Sequence, residues 1–342
     1  MTTTSNKPIA IVTGGAGFIG SHMADRLLEE GFKVRVIDNL SGGRETNLNH
    51  HSRNPDLSLE RMDITDLPAD SSLFKDASLV FHFAGIGDIV PSIEQPLQYM
   101  NTNVQGTVQV LEAARHSGGI QRFVYAASSS CYGLAATPTR EDFPIQPQYP
   151  YALSKYLGEL AVLHWGQVYR LPVNSLRIFN AYGPRVRTTG AYGAVFGVFF
   201  RQKLAGKPYT VVGDGTQSRD FIYVTDVASA FFLASQRGRP GEVYNVGADN
   251  PQTILHLVEL LEGDMVFVPK RPGEPDCTHA NIDKIKHHLG WQPQVAFATG
   301  VKTMMQHIEL WRDAPLWDVT SIAAATRTWF EFMDQTQPSA KE

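Results

Sequence analysis

The sequence predicts an α/β protein built on a doubly wound parallel sheet, with a smaller, interleaved α/β region toward its C-terminal end. Three observations carry this. Strand and helix patterns alternate from Ile9 to about Ile178. A glycine cluster separates the first strand from an amphipathic run. After Asn180 the composition changes, and a Gly/Pro/Arg loop, Gly183 to Gly190, opens a second region. The 342 residues suffice for one large or two smaller units, and 43% apolar against 19% charged residues supports a packed core.

The first strand, Ile9 to Val12, is the apolar run expected of a parallel sheet covered on both faces. It stops at Thr13-Gly-Gly-Ala-Gly-Phe-Ile-Gly20. Phe18, Ile19, Met23, Leu27 and Leu28 then fall near helical spacing as far as Glu30. Strand, glycine turn, helix is the setting a dinucleotide fingerprint requires. Gly14 allows the tight turn, Gly17 lets a pyrophosphate approach the backbone, and Gly20 lets helix and strand pack closely. The helix start, at Phe18 and Ile19, offers free N–H groups to phosphate. The sheet is thus of the Rossmann type.

The second strand, Val34 to Ile37, ends at Asp38, 18 residues after Gly20. A carboxylate there accepts hydrogen bonds from the adenosine ribose and repels a 2′-phosphate, favouring NAD over NADP. Leu57 to Met62 is a third strand, ending at Asp63 and Ile64. Leu79 to Phe83 is a fourth, followed by Ala84 and Gly85, small residues against which a cofactor can lie. Asn101 to His116 reads as one helix. Arg122 to Ala126 is the fifth strand and runs into a serine cluster, Ser128, Ser129 and Ser130. A proline-rich loop, Pro138 to Pro150, precedes a helix from Tyr151 to Tyr169, and Val173 to Phe179 is the sixth strand. Beyond it come a helix, Ala194 to Leu204, a strand, Tyr209 to Val212, and core pieces at Phe221 to Asp226 and Val243 to Val246. Leu255 to Leu261, Ile282 to Leu289, Val301 to Trp311 and Ser321 to Met333 are helical stretches, the last capped by Asp318 or Thr320. The organisation predicted is a dinucleotide domain over 1–180 with returns near 220–247, a substrate region over 181–334, and a polar tail over 335–342.

Tyr151 and Lys155 are four apart on a helix, hence on one face. A lysine ammonium beside a phenol favours the phenolate, so the tyrosine pKa is expected to fall toward working pH and the group to serve as an acid or base at a sugar or alcohol hydroxyl. The strand-end serines would bond the same oxygen.

These motifs together resemble the extended short-chain dehydrogenase/reductases, specifically the nucleotide-sugar epimerase/dehydratase group. The resemblance covers nearly the whole chain. Beyond the fingerprint it rests on Asp38-Asn-Leu-Ser41, Asp63-Ile64, Phe83-Ala-Gly85, Asn103 to Thr107, Ser128 to Gly133, Tyr151 to Lys155, Arg177 to Pro184, Gly213 to Asp220 and Arg271 to Glu274. It implies tightly held NAD, touched by Asn39, Ser41, Asp63, Ile64, Phe83, Ala84, Gly85, Asn103, Tyr151 and Lys155 besides the glycines and Asp38. It implies Tyr151 as base, Lys155 on the nicotinamide ribose and Ser128 on the substrate hydroxyl. The chemistry implied is oxidation at C4 to a 4-keto sugar and reduction from the other face, with NAD regenerated. Relatives that expel water carry Asp-Glu where this chain has Ser129 and Ser130, which favours epimerisation unless Asp88 or Glu141 reaches the sugar. Asn180, Arg219, Arg271 and Glu274 match substrate-binding positions, with Arg219 and Arg271 on the diphosphate and Glu274 on the nucleoside ribose. Thr278 would leave room for an N-acetyl group, and Arg185 or Arg187 could meet a C6 carboxylate. UDP is the family's commonest nucleotide.

The net charge of −4 gives no broad attraction to nucleic acid or anionic membrane. No apolar run reaches spanning length. Two cysteines and a polar opening, Met1 to Pro8, fit a cytoplasmic protein. The adjacent pairs His50-His51 and His287-His288 are expected to point apart, so no metal site is expected. The helix from Tyr151 is apolar beyond its catalytic face, at Leu153, Leu157, Leu160, Leu163 and Trp165. Such a helix needs cover on both sides, and the resemblance agrees in implying a homodimer.

Overall fold

Strand β1 (Ile9–Thr13) leads through the glycine turn into α1 (Phe18–Glu29), and β2 (Lys33–Asp38) and β3 (Leu57–Arg61) continue outward. The computed structural model describes residues 7–188 and 194–334. β4 (Ala77–His82) is followed by α2 (Pro96–Met100) and α3 (Gly106–Ser117), then β5 (Arg122–Ser128), α4 (Pro150–Tyr169), β6 (Val173–Ile178) and β7 (Asn180–Tyr182). The rest comprises α5 (Val195–Leu204), β8 (Tyr209–Val212), β9 (Ser218–Arg219), β10 (Phe221–Tyr223), α6 (Val224–Arg237), β11 (Val243–Val246), β12 (Gln252–Thr253), α7 (Ile254–Leu261), β13 (Met265–Val268), α8 (Asp283–Leu289), α9 (Phe297–Gln306) and α10 (Val319–Met333).

The main sheet has seven strands in the order β11-β6-β5-β4-β1-β2-β3, every pair parallel. Chain direction reverses its march at β1, which pairs with both β2 and β4. A crevice opens at such a point, at the carboxyl ends of the strands, and ligands bind there. One face is covered by α1, α6 and α8 through Met23, Leu27, Val227, Phe231 and Ile285. The other is covered by α3 and α4 through Val110, Leu111 and Val162. A third core forms outside the sheet, from Phe196, Phe199, Phe200, Tyr209, Leu257 and Trp311.

Three expectations change. The helix expected over Asn101 to His116 is broken: Asn101–Gln105 forms a π-helical turn between α2 and α3. A π turn inserts a residue that shifts side-chain phase and often marks functional positions, and here it aims Asn103 inward. The core piece at Phe221 to Asp226 is the end of β10 and the start of α6, a 14-residue helix that the apolar pattern does not separate from a buried strand. Helix α9 starts at Phe297 and ends before a short 3-10 turn, Ile308–Trp311. Asp318 caps α10 in a reciprocal pair with Ser321. The expected tail over 335–342, and Thr189 and Gly190 of the expected loop, lie outside the described residues. Among the described residues no helix is long and apolar enough to cross a membrane.

Candidate active site

The glycine turn is built as the spacing requires. Gly14 has φ +68°, and a Cβ there would fall 2.6 Å from the Ala84 amide nitrogen. A Cβ on Gly20 would lie 2.2 Å from the Gly14 carbonyl oxygen. Helix α1 begins at Phe18 after Gly17 with no side-chain cap, so its first-turn N–H groups are left for a ligand. Asp38 is buried at the end of β2, its carboxylate accepting from Ala16 N at 2.9 Å and Leu40 N at 2.8 Å. Asn39 Nδ2 donates to Asp63 at 2.7 Å and Asn39 Oδ1 accepts from Ser41 N, linking three expected cofactor residues into one strip. Ile64 packs beneath Gly106, where a Cβ would fall 2.6 Å from its Cδ1. This cradle of close backbone, uncapped helix start and buried carboxylate fits a dinucleotide of the NAD type.

Beyond β4 the chain is clamped. Phe83 N donates to Thr13 O at 3.0 Å. Asn103 accepts from Ile86 N at 2.8 Å and donates to Ile86 O and to Ser154 Oγ at 3.1 and 2.9 Å. A Cβ on Gly85 would lie 2.8 Å from Asn103 Oδ1 and 3.8 Å from Lys155 Nζ. Asn103 therefore joins the post-β4 loop to α4 at the height of the lysine. His82, not anticipated from the sequence, is fully buried between Thr13 Oγ1 (2.6 Å) and Thr107 Oγ1 (2.9 Å). Burial first, then the nearby Lys155 charge, pulls its pKa down to about 3, so it bridges these elements as a neutral ring.

Ser128 ends β5, its hydroxyl near enough to the Tyr151 phenol to favour the phenolate. Ser128 also engages Ser130 through Oγ at 3.1 Å and through the Ser130 amide at 3.2 Å. Tyr151 and Lys155 lie in the first turns of α4, where Pro150 opens the helix. The expected drop in the Tyr151 pKa is not what this fold produces. Burial pushes the phenol up, the Ser128 hydroxyl opposes the rise, and the Asp88 carboxylate adds to it. Burial also pulls Lys155 down to about 7, against the pull of Glu159. Its ammonium lies 4.5 Å from the centroid of the Tyr125 ring. Two aromatic rings frame Tyr151: Tyr149, parallel within 9° at 6.4 Å, and Tyr99, edge-on at 6.4 Å. The Ser130 hydroxyl is near enough to the Tyr149 phenol to oppose the rise in its pKa that burial causes. Neither neighbour was expected, although Tyr149 stands only two residues before Tyr151.

The phosphate-site candidates do come together. Glu274 lies 2.9 Å from Arg271 and 3.8 Å from Arg219. Burial and then the Arg271 charge, opposed by Glu274, hold Arg219 below the usual guanidinium range. Two guanidinium groups on one carboxylate form a cationic pair whose second partner can be an anionic ligand. Asn180 is fixed by Thr278, whose hydroxyl donates to Asn180 Oδ1 at 2.8 Å and accepts from Asp220 N at 3.1 Å.

Arg185 is placed elsewhere. It pairs with Asp25 of α1 at 2.7 Å, on the outer side of the dinucleotide helix. The loop turns there at φ +67°. Arg187 instead reaches Asp88 at 3.3 Å, and the Tyr99 hydroxyl donates to the Asp88 carbonyl at 2.5 Å. Of the two arginines, Arg187 is the one beside the Tyr151 wall. Glu141 accepts from Asn245 N at 2.8 Å, and burial raises its pKa; it is spent inside the fold. His50 and His51 do not point apart. Both Nε2 atoms meet Asp25 Oδ1, at 2.8 and 2.9 Å, because they sit on a 3-10 turn. The ligand atoms of Asp25, His50 and His51 lie within 4.8 Å of one another, and the Arg185 guanidinium already occupies the other carboxylate oxygen.

Comparison with known proteins agrees with this geometry. The model of the NAD dependent epimerase/dehydratase family matches residues 10–247. The chain is 35% identical over 301 residues to a UDP-glucose 4-epimerase of Mycolicibacterium smegmatis, covering 85% of this chain and 95% of that one. It is similar to a UDP-glucuronic acid 4-epimerase from Bacillus cereus solved with UDP-glucuronic acid and NAD (TM-score 0.83, 30% identity, 88% of this chain and 99% of that one). It is also similar to DesIV, a dTDP-glucose 4,6-dehydratase from Streptomyces venezuelae solved with NAD (TM-score 0.81, 29% identity, 89% and 98%).

Proposed function

The chain belongs to the NAD dependent epimerase/dehydratase family, and from that premise we propose that it is a nucleotide-sugar 4-epimerase acting through a transient 4-keto sugar. The observation that carries the reading is the meeting of Ser128, at the end of β5, with Tyr151 and Lys155, one turn apart at the start of α4, and two hydroxyls, Ser129 and Ser130, where an eliminating enzyme needs acids. Gly14, Gly17, Gly20, Asp38 and Asn103 hold NAD, which when bound supplies an acceptor for two electrons and gives them back within one turnover. Tyr151 takes the proton of the C4 hydroxyl as the phenolate, a form that burial alone disfavours and the positive charge of an oxidised nicotinamide would favour, while Ser128 orients that oxygen. Arg219 and Arg271 hold the diphosphate, so the sugar can turn over while its anchor stays fixed. Tyr151 then returns the proton to the C4 oxygen after reduction from the opposite face.

The substrate is UDP-linked in this reading, on the names of its relatives: a hexose, an N-acetylhexosamine or a uronate. Arg187 beside Asp88 is the side chain that favours a uronate. A second reading, a 4,6-dehydratase, draws on Asp88, which faces the Tyr151 phenol closely enough to raise its pKa. The free thiols Cys131 and Cys277 support a reducing, cytoplasmic setting. Exposed Leu153, Leu160 and Val168 on α4 support a homodimer.

The test is a panel of UDP-, GDP-, dTDP- and CDP-sugars with the products read by NMR. Inversion at C4 alone supports epimerisation. Loss of the C6 hydroxyl moves the chain to the dehydratases, and net accumulation of reduced cofactor sinks both.

A further inference from the structure

Helix α10 takes no part in the parallel sheet and lies past the 10–247 span matched by the family model. Yet α10 docks on the loops that frame the candidate pocket. Trp329 is 1% exposed, and its Nε1–H donates to the Pro272 carbonyl at 3.0 Å, next to Arg271. Its ring lies 5.2 Å from that of Tyr149, the residue that stacks on Tyr151. One turn on, Met333 covers Gly273, where a Cβ would fall 2.6 Å from the Met333 methyl. Thr328 Oγ1 donates to Glu94 at 2.9 Å, on the segment between β4 and α2 that also carries Asp88. One helix thus touches the phosphate loop, the catalytic tyrosine's neighbour and the opposite rim.

We propose that α10 is a wall of the nucleotide-sugar pocket and that Trp329 is its positioning residue. The proposal rests on the nucleotide-sugar reading above. An indole that only filled a core would need any acceptor for its N–H. This one uses a carbonyl of the loop that carries Arg271, and sets its ring against the residue that stacks on Tyr151. It fixes the span between the diphosphate arginines and the Tyr151 phenol. That span decides which glycosyl diphosphates place C4 at the phenol.

The test uses the full-length chain and the variants Trp329→Phe, Trp329→Ala and Thr328→Val. Binding of UDP, GDP, dTDP and CDP is measured by calorimetry, with NAD content and the thermal midpoint read on the same samples. Trp329→Phe keeps an aromatic ring but loses the Nε1–H donor and part of the indole's bulk, so it is expected to weaken the preferred diphosphate about 5- to 10-fold with NAD content unchanged. Trp329→Ala is expected to weaken it at least about 30-fold, and KM for the sugar nucleotide rises in step while kcat moves less. A Trp329→Phe protein of lowered midpoint that binds the diphosphate as wild type does overturns the proposal. If Trp329→Ala does not fold, Trp329→Phe and Thr328→Val decide it. A wild-type chain that binds a diphosphate but converts no sugar sinks the functional reading alone, and the variants' affinities still judge the wall. A wild-type chain that binds none of the four overturns both.

Discussion

Lys155 is held where the fold resists its charge. Its folded pKa of about 7 lies below the ordinary lysine value of 10.5. Between those values the unfolded chain binds more protons than the folded one, so this group's contribution to stability improves as pH rises through that window and is least favourable below about 7. Lys155→Met removes the penalty. The variant, compared with wild type at matched NAD content, is expected to melt higher at a pH about half a unit below the folded pKa, with the gap narrowing toward about pH 10. Its turnover is expected to fall at least about 100-fold. Differential scanning fluorimetry across pH checks the first part, and a melting gap independent of pH would show that the lysine is not desolvated. Tyr151→Phe belongs to the same scale. It keeps the ring between Tyr149 and Tyr99 and removes only the acid–base oxygen, so turnover is expected to fall about 100- to 10,000-fold with diphosphate affinity retained. The arginines separate by what they touch. Arg185→Ala breaks a pair with Asp25 and is expected to leave KM within about twofold, whereas Arg219→Ala or Arg271→Ala is expected to raise it about 10-fold or more. Steady-state kinetics decides between these, and an equal effect of all three would return Arg185 to the substrate.

At the scale of elements, α4 is fastened to β6 by a buried ion pair. Glu159, one turn beyond Lys155, accepts from Arg177 at 2.6 Å, and the two side chains are 1% and 6% exposed. Ser175 donates to the same carboxylate at 2.8 Å, and Arg177 also donates to the Tyr132 hydroxyl at 2.8 Å. Removing one partner strands a buried charge, so Glu159→Ala is expected to cost about 3–5 kcal/mol in urea unfolding. A cost near zero would mean that the carboxylate is dispensable to the joint between helix and strand. The elements differ in how far the sequence exposes them. β1 and α1 were legible because the glycine cluster leaves few other conformations, and α4 because tyrosine and lysine one turn apart must share a face. The π turn at Asn101–Gln105 was not, since one inserted residue leaves the surrounding apolar pattern nearly unchanged. Helix α6 follows β10 with no glycine or proline between Tyr223 and Val224, and an apolar run buried all round carries no period to read. The meeting of His50 and His51 on Asp25 depends on a turn type that spacing alone does not fix. The role of Trp329 depends on long-range docking, which no local pattern encodes.

For the whole molecule, the open question is what covers the outer face of α4. Leu153 and Leu160 are 38% and 42% exposed, Val168 50%, and Leu97 at the start of α2 is 84% exposed. Leu160, Ala161, Leu163, His164 and Gln167 line a hollow of about 460 Å³ on the same helix. Each leucine withdrawn from water contributes about 1.5–3 kcal/mol at full burial, and half-exposed side chains contribute part of that. Repeated across a two-fold axis, each of these contacts would count twice, because an isologous interface uses the same patch on both subunits. Met265, Val266 and Phe267 on β13 are exposed as well, but α4 is the helix that carries Tyr151 and Lys155, so pairing along it would stiffen the turn proposed to do the chemistry. Light scattering on the wild-type chain at micromolar concentration is expected to give twice 37.8 kDa. The double substitution Leu153→Glu with Leu160→Glu sets four carboxylates against one another across the axis and is expected to give the single-chain mass with the far-UV spectrum intact. A wild-type protein that elutes as one chain, or a double variant that remains paired, would place the contact on another face and leave these leucines in water.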